Sequence, residues 1–175
     1  MKSQETQVDS LSLANPLRVF EAGMDRKLSP WYKSQSGTMV NLGCGNKHID
    51  GAHNLDYPDW DYHDGIPFNA GSVREIYAFH FMEHVDEPVK LLLEALRVLC
   101  PGGVMNMVTP YYTSQMQAHD LDHKTQYCEE TWRVLFSTPY YDKNQIEWKF
   151  EIGFNMIMGI VERNLCLVTQ LIRTQ

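Results

Sequence analysis

The first stretch that suggests chemistry is Gly43-Cys44-Gly45, which directly follows the apolar run Thr38–Leu42. Glycines at such a turn let the backbone come close to a ligand and adopt positive φ. A dinucleotide fingerprint of the form G-x-G-x-x-G would need a third glycine where the chain has His48. The Gly-Lys-Ser/Thr of a phosphate-binding loop does not follow either. The turn therefore predicts a ligand-binding loop and disfavours a nicotinamide oxidoreductase.

A carboxylate ends the next short stretch, because Asp56 follows Asn54-Leu55 at a distance of thirteen residues from Gly43. A carboxylate can accept hydrogen bonds from both hydroxyls of a ribose, which an amide cannot do. The spacing is too short for a full helix, so Lys47–Gly51 is predicted to form a turn. We expect Asp56 to bind a ribose; the alternative is that it only caps or turns the chain.

Two pairs of histidines are spaced four residues apart, His80 with His84 and His119 with His123. On a helix this spacing could present two imidazoles to a metal, but no third ligand is evident and no metal is predicted. Imidazole also suits general-base catalysis near neutral pH. The candidate bases, for each of which a surface or capping role is the alternative, are His80, Glu83, His84, Tyr111, Tyr112, His119 and His123, with His80, His84 and His123 preferred.

The formal charge of −7 is concentrated in one segment of the chain. Between Asp50 and Glu87, nine acidic residues face Arg74 as the single basic one, so this segment carries −8 and the remainder +1. An acidic chain of this kind argues against broad nucleic-acid binding, which needs a basic surface. The segment is either a solvated surface or a site for something cationic.

The pattern along the chain predicts strands that alternate with helices, which is typical of a mostly parallel α/β sheet. The predicted strands are 38–42, 52–56, 73–79 and 104–108, and the predicted helices are 16–28, 88–99 and 129–136. Two further β-like runs, 146–155 and 165–172, predict a closing hairpin. The loops after residues 42, 56, 79 and 108 should then share the rim where ligands bind in such sheets.

Length and composition favour one domain in a reducing compartment. The chain of 175 residues is long enough for a single full-sized core. Its four cysteines lack paired spacing, and no apolar run approaches the ~18 residues that a membrane-spanning helix needs. We expect a cytoplasmic protein without a membrane segment, and an oligomer is compatible with the sequence.

Five motifs, taken together in order and spacing, resemble class I S-adenosylmethionine-dependent methyltransferases of the small methyltransferase-domain type. The motifs are VNLGCGN at 40–46, GAHNLD at 51–56, HDGIPF at 63–68, FHFMEHV at 79–85 and LRVLCPGGV at 96–104. The resemblance implies a three-layer, Rossmann-like, doubly wound sheet of seven strands, mostly parallel with an antiparallel C-terminal strand. It divides the single domain, 1–175, into an N-terminal helical segment (1–37), a cofactor-binding core (38–110) and a substrate-side region with the hairpin (111–175).

The resemblance also implies S-adenosyl-L-methionine as the cofactor and gives roles to particular residues. Gly43–Gly45 would contact its aminoacyl and ribose portions through the backbone, and Asp56 would hold the ribose hydroxyls. Asp64 would lie beside the adenine amino group, and His80 would face the methionine end. Asn41 stands where many relatives have an acidic residue, so it can hydrogen-bond to the cofactor but supplies no charge to its ammonium group.

The function these expectations describe is transfer of a methyl group, by in-line displacement, to a small molecule or an exposed group of a macromolecule. A small molecule is favoured because the chain has no room for a separate substrate domain. The acceptor pocket would be roofed by the N-terminal helix and the 110–144 region. The alternative is a non-catalytic homologue that binds the cofactor and acts as an assembly or regulatory protein.

Overall fold

Six strands form one mixed sheet in the computed structural model, which describes residues 37–137, 146–161 and 164–175. In spatial order the sheet is β2-β1-β3-β4-β6-β5. The strands are β1 (Thr38–Leu42), β2 (His53–Leu55), β3 (Val73–Phe79), β4 (Leu99–Pro110), β5 (Phe150–Val161) and β6 (Asn164–Arg173).

The direction of the strands confirms the predicted α/β class. The pairs β1–β2, β1–β3 and β3–β4 are parallel, whereas β6 runs antiparallel to both β4 and β5. The sheet is therefore Rossmann-like and mostly parallel, with an antiparallel C-terminal strand, and the predicted closing hairpin is β5–β6. The described residues contain six strands rather than seven, because the stretch between β2 and β3 forms turns and a short 3₁₀ helix, Tyr62–Asp64.

Three helices accompany the sheet within the described residues: α1 (Pro88–Val98), α2 (Gln115–His119) and α3 (Glu129–Ser137). Pro88 opens α1 in the first turn, where its missing N–H costs no hydrogen bond. The helix predicted at 88–99 and the one predicted at 129–136 are thus confirmed to within a residue. The helix predicted at 16–28 lies outside the described residues.

The core is built on the face of the sheet that carries the apolar side chains of the central strands. Val40 and Leu42 of β1 pair in register with Ile76 and Ala78 of β3, and all four are fully buried. Against them α1 buries one stripe of side chains, Leu91, Leu92, Ala95 and Val98. Full burial of one leucine side chain stabilises the fold by about 1.5–3 kcal/mol.

Two strands, β4 and β5, differ by several residues from the sequence-based prediction. Strand β4 begins at Leu99 because this residue already pairs with Val73 before the Pro101–Gly103 turn shifts the register. Strand β5 covers Phe150–Val161 rather than 146–155, since its ladder with β6 continues past Asn155 and absorbs irregularities beside Gly153 and Gly159. Cross-strand pairing, which the sequence does not display, sets the boundaries of both strands.

The chain reverses its direction of winding between β1 and β3. From β1 it proceeds to β2 on one side, and then returns to β3 and β4 on the other. In open α/β sheets the crevice at such a switch point, outside the carboxyl ends of the strands, is the usual ligand site.

Candidate functional site

An open cleft lies at this switch point, where the turn after β1 meets the end of β3. Its lining residues come from these two segments alone and are Asn41, Gly43, Cys44, Gly45, Asn46, Lys47, Phe79 and His80. The structure therefore brings together five residues predicted to bind the cofactor: Asn41, Gly43, Cys44, Gly45 and His80. Asn46, Lys47 and Phe79 also line the cleft, although the sequence predicted no binding role for them.

Both glycines of the turn need the conformation that glycine allows. Gly43 has φ +60° and Gly45 has φ +51°, values that other residues rarely adopt. A Cβ at Gly43 would also overlap the ring of Phe81, whereas a Cβ at Gly45 would meet only Asp56 Oδ2, at 3.9 Å. Gly43 is thus required by packing, and Gly45 leaves the cleft side of the turn open.

Asn41 and Asn54 hold the short crossover between β1 and β2 in place. The Asn41 amide donates to the Lys47 carbonyl at 3.0 Å and to Asn54 Oδ1 at 2.8 Å. Asn54 in turn bonds with the backbone of Ile49 and Ala52. Both N–H groups of Asn41 are therefore used within the turn, and only its carbonyl oxygen remains for a cationic ligand. The sequence alone does not reveal Asn54, whose role arises because it pairs directly with Asn41 across the two strands.

Asp56 does not line the cleft itself but is bonded to Gly45, which does. Its predicted role in binding a ribose stays a prediction. Its Oδ2 accepts a hydrogen bond from the Gly45 N–H at 2.6 Å, and its Oδ1 accepts one from the Tyr57 N–H at 2.9 Å. These bonds fix the direction of the carboxylate. Each oxygen has a second lone pair, so the two oxygens can still accept hydrogen bonds from two hydroxyl groups. The buried Cys44 beside it stays a neutral thiol, since burial and the charge of Asp56 raise the pKa of Cys44.

Asp64 does not line the cleft. It is exposed at the end of the short 3₁₀ helix Tyr62–Asp64. The chain that follows it is tied to α1: Arg97 donates to the Ile66 and Phe68 carbonyls at 2.8 Å each, and the Ile66 N–H donates to Glu94 at 3.1 Å. The predicted contact of Asp64 with an adenine therefore stays a prediction.

His80 joins the cleft to a buried carboxylate. Its imidazole is 29 % exposed and lines the cleft, while Nδ1 lies 3.3 Å from Oε1 of Glu83. The backbone N–H of His80 donates to the Val108 carbonyl at 2.7 Å, which fixes the end of β3 against β4. His80 has φ +53° and is the one non-glycine residue with positive φ in the described ranges. Such strained positions cluster at functional sites.

The other two preferred bases, His84 and His123, lie beside each other although they are 39 positions apart in the sequence. Their ring centroids are 4.8 Å apart, in an edge-to-face arrangement. The N–H groups of Lys124 and Thr125 both donate to the Glu83 carbonyl, at 2.7 and 3.1 Å, and thereby bring the two segments together. The helical spacing of His119 and His123 was misleading, because α2 ends at His119.

The two tyrosines after β4 are poor candidates for a base. Tyr111 donates to Glu129 at 2.8 Å, and this hydrogen bond to a carboxylate raises the pKa of Tyr111 to about 12. Tyr112 is 50 % exposed. His119 is exposed as well. Among the candidate bases, His80 lines the cleft, and catalytic roles for His84 and His123 stay predictions.

Comparison with known proteins bears out the resemblance to class I S-adenosylmethionine-dependent methyltransferases. Residues 36–107 match a family model described as a methyltransferase domain. No curated protein sequence matches the chain significantly. Many solved structures share the fold, and three of them illustrate the range.

A chain from the complex between the Haloferax volcanii Trm112 methyltransferase activator and a methyltransferase superposes with a TM-score of 0.61, at 14 % identity over 91 % of this chain and 95 % of that one. A SAM-dependent methyltransferase from Methanosarcina mazei gives 0.55, at 13 % identity over 85 % and 99 %. Geranyl diphosphate C-methyltransferase from Streptomyces coelicolor, in complex with Mg²⁺, geranyl diphosphate and S-adenosyl-L-homocysteine, gives 0.58, at 13 % identity over 99 % and 88 %. At these identities the comparison shows the fold.

None of the helices in the described ranges is both long and apolar enough to cross a membrane. The cytoplasmic location, the oligomeric state and the division of the chain into segments stay predictions.

Proposed function

We propose that the protein transfers a methyl group from S-adenosyl-L-methionine to a nucleophile by in-line displacement. The observation that carries the proposal is the cleft at the switch point, where the Asp56 carboxylate is held against the Gly45 N–H at 2.6 Å. An oriented carboxylate with free lone pairs suits the two ribose hydroxyls. The family match over residues 36–107 supports the same assignment.

The charge of the site fits the cofactor. S-adenosylmethionine supplies an electrophilic methyl group on a cationic sulfonium and also carries an ammonium group. Within the cleft the Asn41 carbonyl oxygen is available to the ammonium, because both N–H groups of that amide are already used. Asp56 adds a negative charge beside the cleft. The product, S-adenosylhomocysteine, has lost the sulfonium charge, so a site of this kind favours the substrate form over the product.

Methyl transfer demands alignment of two reacting atoms more than acid–base chemistry. The methyl group passes to the acceptor atom while the sulfur keeps the electron pair of the broken bond, and an acceptor that holds a proton must release it. We assign His80 as the group that accepts this proton, because its imidazole lines the cleft and its Nδ1 faces Glu83 at 3.3 Å. Imidazole suits this role near neutral pH. His84 and His123, the other two preferred bases, would serve acceptors that bind on their side.

Isothermal titration calorimetry with S-adenosylmethionine and S-adenosylhomocysteine tests the proposal. We expect both to bind the unaltered protein. Asp56→Asn should weaken both affinities by roughly 10- to 100-fold, the effect of losing charge-assisted hydrogen bonds. The matched control is Asp59→Asn, which removes an exposed carboxylate from the same loop and should leave both affinities unchanged. Failure of both compounds to bind the unaltered protein would contradict the proposal.

Binding must then lead to transfer. We expect release of S-adenosylhomocysteine in the presence of a small-molecule acceptor from a panel of phenols, thiols, amines and carboxylic acids. If the cofactor binds through Asp56 but no acceptor of any size promotes its conversion, the protein is the non-catalytic homologue instead.

A further inference from the structure

Three potential metal ligands meet beside the cleft: Glu83, His84 and His123. One ligand atom of each lies within 4.8 Å of the other two. Glu83 and His84 belong to the short 3₁₀ helix Met82–His84 after β3, and His123 comes from the turns that follow α2. Side chains from two segments thus converge on one point, and their chemistry, two imidazoles and a carboxylate, is that of divalent transition-metal sites.

The burial of the Glu83 carboxylate without a hydrogen-bond partner indicates a binding site for a cation. Its side chain is 1 % exposed, yet neither carboxylate oxygen accepts a hydrogen bond from any residue that the structure describes. The contact with His80 Nδ1, at 3.3 Å, lacks the alignment of a hydrogen bond. A carboxylate removed from water without partners is costly to the fold. A cation bound between Glu83 and the two histidines would remove this cost.

His123 is oriented as metal-bound histidines are. Its side chain is 7 % exposed, and Nδ1 lies 3.2 Å from the carbonyl oxygen of Gln117. An N–H at Nδ1 that donates to this carbonyl leaves the lone pair at Nε2, and such a backbone hydrogen bond is the usual outer support of a metal-ligating imidazole. Nε2 also lies 3.7 Å from Oδ2 of Asp120, so a second carboxylate is near the same point.

The two segments are held firmly enough to form a site. The N–H groups of Lys124 and Thr125 donate to the Glu83 carbonyl, and the hydroxyl groups of Thr125 and Tyr127 lie 3.0 and 3.1 Å from the Met82 carbonyl. Tyr127 is buried and stacks on Trp132 at 5.2 Å. These contacts fix the backbone on both sides of the three ligands, so binding requires only that side chains close by about 1 Å around an ion.

We propose that Glu83, His84 and His123 bind a divalent transition-metal ion of the zinc class. The inference goes beyond the proposed function, because the ion would bind with neither cofactor nor acceptor present. Two imidazoles and one carboxylate favour Zn²⁺ and its neighbours over Mg²⁺ or Ca²⁺, which prefer all-oxygen ligands. With three protein ligands, the ion keeps a coordination position open beside His80 and the cleft.

A second group of metal-ligand residues, His63, Asp86 and Glu87, provides the contrast. All three are exposed, and each already has a partner: His63 with Asp61, Asp86 with Tyr62 and Glu87 with Lys90. No buried charge is left without a partner in this exposed group, so it serves as a control for the proposed site.

The test is titration of Zn²⁺ into the full chain after removal of metals with a chelator, followed by calorimetry. We expect one Zn²⁺ per chain, and an affinity that falls by more than about 100-fold in Glu83→Gln and in His123→Gln, because loss of a direct ligand costs more than loss of an outer support. His63→Gln and Asp86→Asn should bind Zn²⁺ as the unaltered protein does. Replacement by Co²⁺, whose absorption spectrum reports imidazole coordination, should give a signal that both ligand variants lose.

Thermal unfolding in the presence of chelator separates loss of a ligand from loss of the fold. Glu83→Gln removes the buried negative charge, so we expect this variant to unfold at the same temperature as the metal-free protein or higher, and Zn²⁺ to raise the unfolding temperature of the unaltered protein only. The inference is overturned if Zn²⁺ does not bind, if both ligand variants bind it unchanged, or if only the His63 and Asp86 variants lose it. Binding of S-adenosylmethionine is measured without Zn²⁺, so that result does not depend on this one.

Discussion

His80 combines a strained backbone with a position in the cleft. At φ +53° its Cβ is crowded by its own backbone, which costs a non-glycine residue about 1–2 kcal/mol. The conformation turns the chain sharply after β3, so that the imidazole lines the cleft and Glu83 lies behind it. The hydrogen bond from the His80 N–H to the Val108 carbonyl, at 2.7 Å, helps to hold this strained conformation.

Replacement of His80 separates the strain from the function. We expect His80→Gly to be more stable than His80→Ala by about 1 kcal/mol, because glycine adopts positive φ without the clash that alanine retains. Both variants should transfer methyl groups more slowly, since both lack the imidazole. Urea unfolding and a turnover assay on each variant give the two quantities. An alanine variant at least as stable as the glycine variant would show that the backbone is not strained.

The two hydrogen bonds that the Asn41 amide donates explain why an aspartate would not fit at this position. An aspartate there would place a carboxylate against two acceptors, the Lys47 carbonyl and Asn54 Oδ1, which Asn41 now satisfies at 3.0 and 2.8 Å. We expect Asn41→Asp to lower the free energy of unfolding by about 1–3 kcal/mol. The control Asn46→Asp replaces an exposed residue of the same turn and should change the free energy of unfolding little. Unaltered stability of Asn41→Asp in urea unfolding would refute this explanation.

At the residue scale, the sequence predicts side chains whose role follows from their position after a strand. Gly43, Gly45 and Asp56 belong to this group, because the carboxyl ends of parallel strands meet at one rim. The sequence does not predict the role of Asn54 in the crossover or the burial of Glu83 without a hydrogen-bond partner. These depend on which residues from distant segments come into contact, and a single sequence carries no record of that.

A clamp between α1 and the loop Ile66–Phe68 positions the segment after Asp64. Glu94 and Arg97 form an ion pair at 2.8 Å, and both also bond to the loop backbone. The hydrogen bond from Arg97, followed by the one from the Ile66 N–H, lowers the pKa of Glu94 although its partial burial opposes this. The stabilisation is therefore fully present above the usual glutamate pKa of 4.5 and is lost as the pH falls through the lowered value.

Neutralising this carboxylate tests the clamp. We expect Glu94→Gln to lower the free energy of unfolding by about 1 kcal/mol at pH 7. The difference from the unaltered protein should shrink as the pH falls below 4.5. Unfolding by urea at a series of pH values provides the measurement.

Glu130→Gln is the matched control, because Glu130 and Arg133 form an ion pair at the same spacing on α3 with side chains 57 % and 69 % exposed. Exposed pairs contribute little, so this variant should unfold as the unaltered protein does at every pH. An equal effect of the two substitutions would show that Glu94 acts only as a surface charge.

At the element scale, periodicity and turn residues predict most of the strands and helices. Strand β3 has the predicted bounds, and α1 ends one residue early, because Pro88 and the Pro101–Gly103 turn limit the helix from both sides. The predicted range of β5, 146–155, lies several residues before the observed one. Its glycines and Asn155 are typical of turns, and only the ladder with β6 keeps them in a strand.

At the scale of the whole molecule, the acidic segment 50–87 divides into structural and ligand-facing charges. Asp61 and Asp86 have partners in the neighbourhood of His63, and the buried Glu75 accepts a hydrogen bond from Tyr77 at 2.5 Å. Asp56 instead bonds to Gly45, which lines the cleft. Most of the −8 charge thus belongs to carboxylates that pair locally or face solvent. The carboxylate proposed to face a cationic cofactor is Asp56.

The central claim is that the cleft between β1 and β3 holds S-adenosylmethionine. The most direct test is a nuclear magnetic resonance titration of the ¹⁵N-labelled protein with S-adenosylhomocysteine, which binds without reacting. We expect the amide signals of Gly43–Lys47, Asp56 and His80 to shift and those of the β5–β6 hairpin to stay in place. If saturating ligand leaves the signals of the cleft in place, or moves only signals elsewhere, the claim is contradicted.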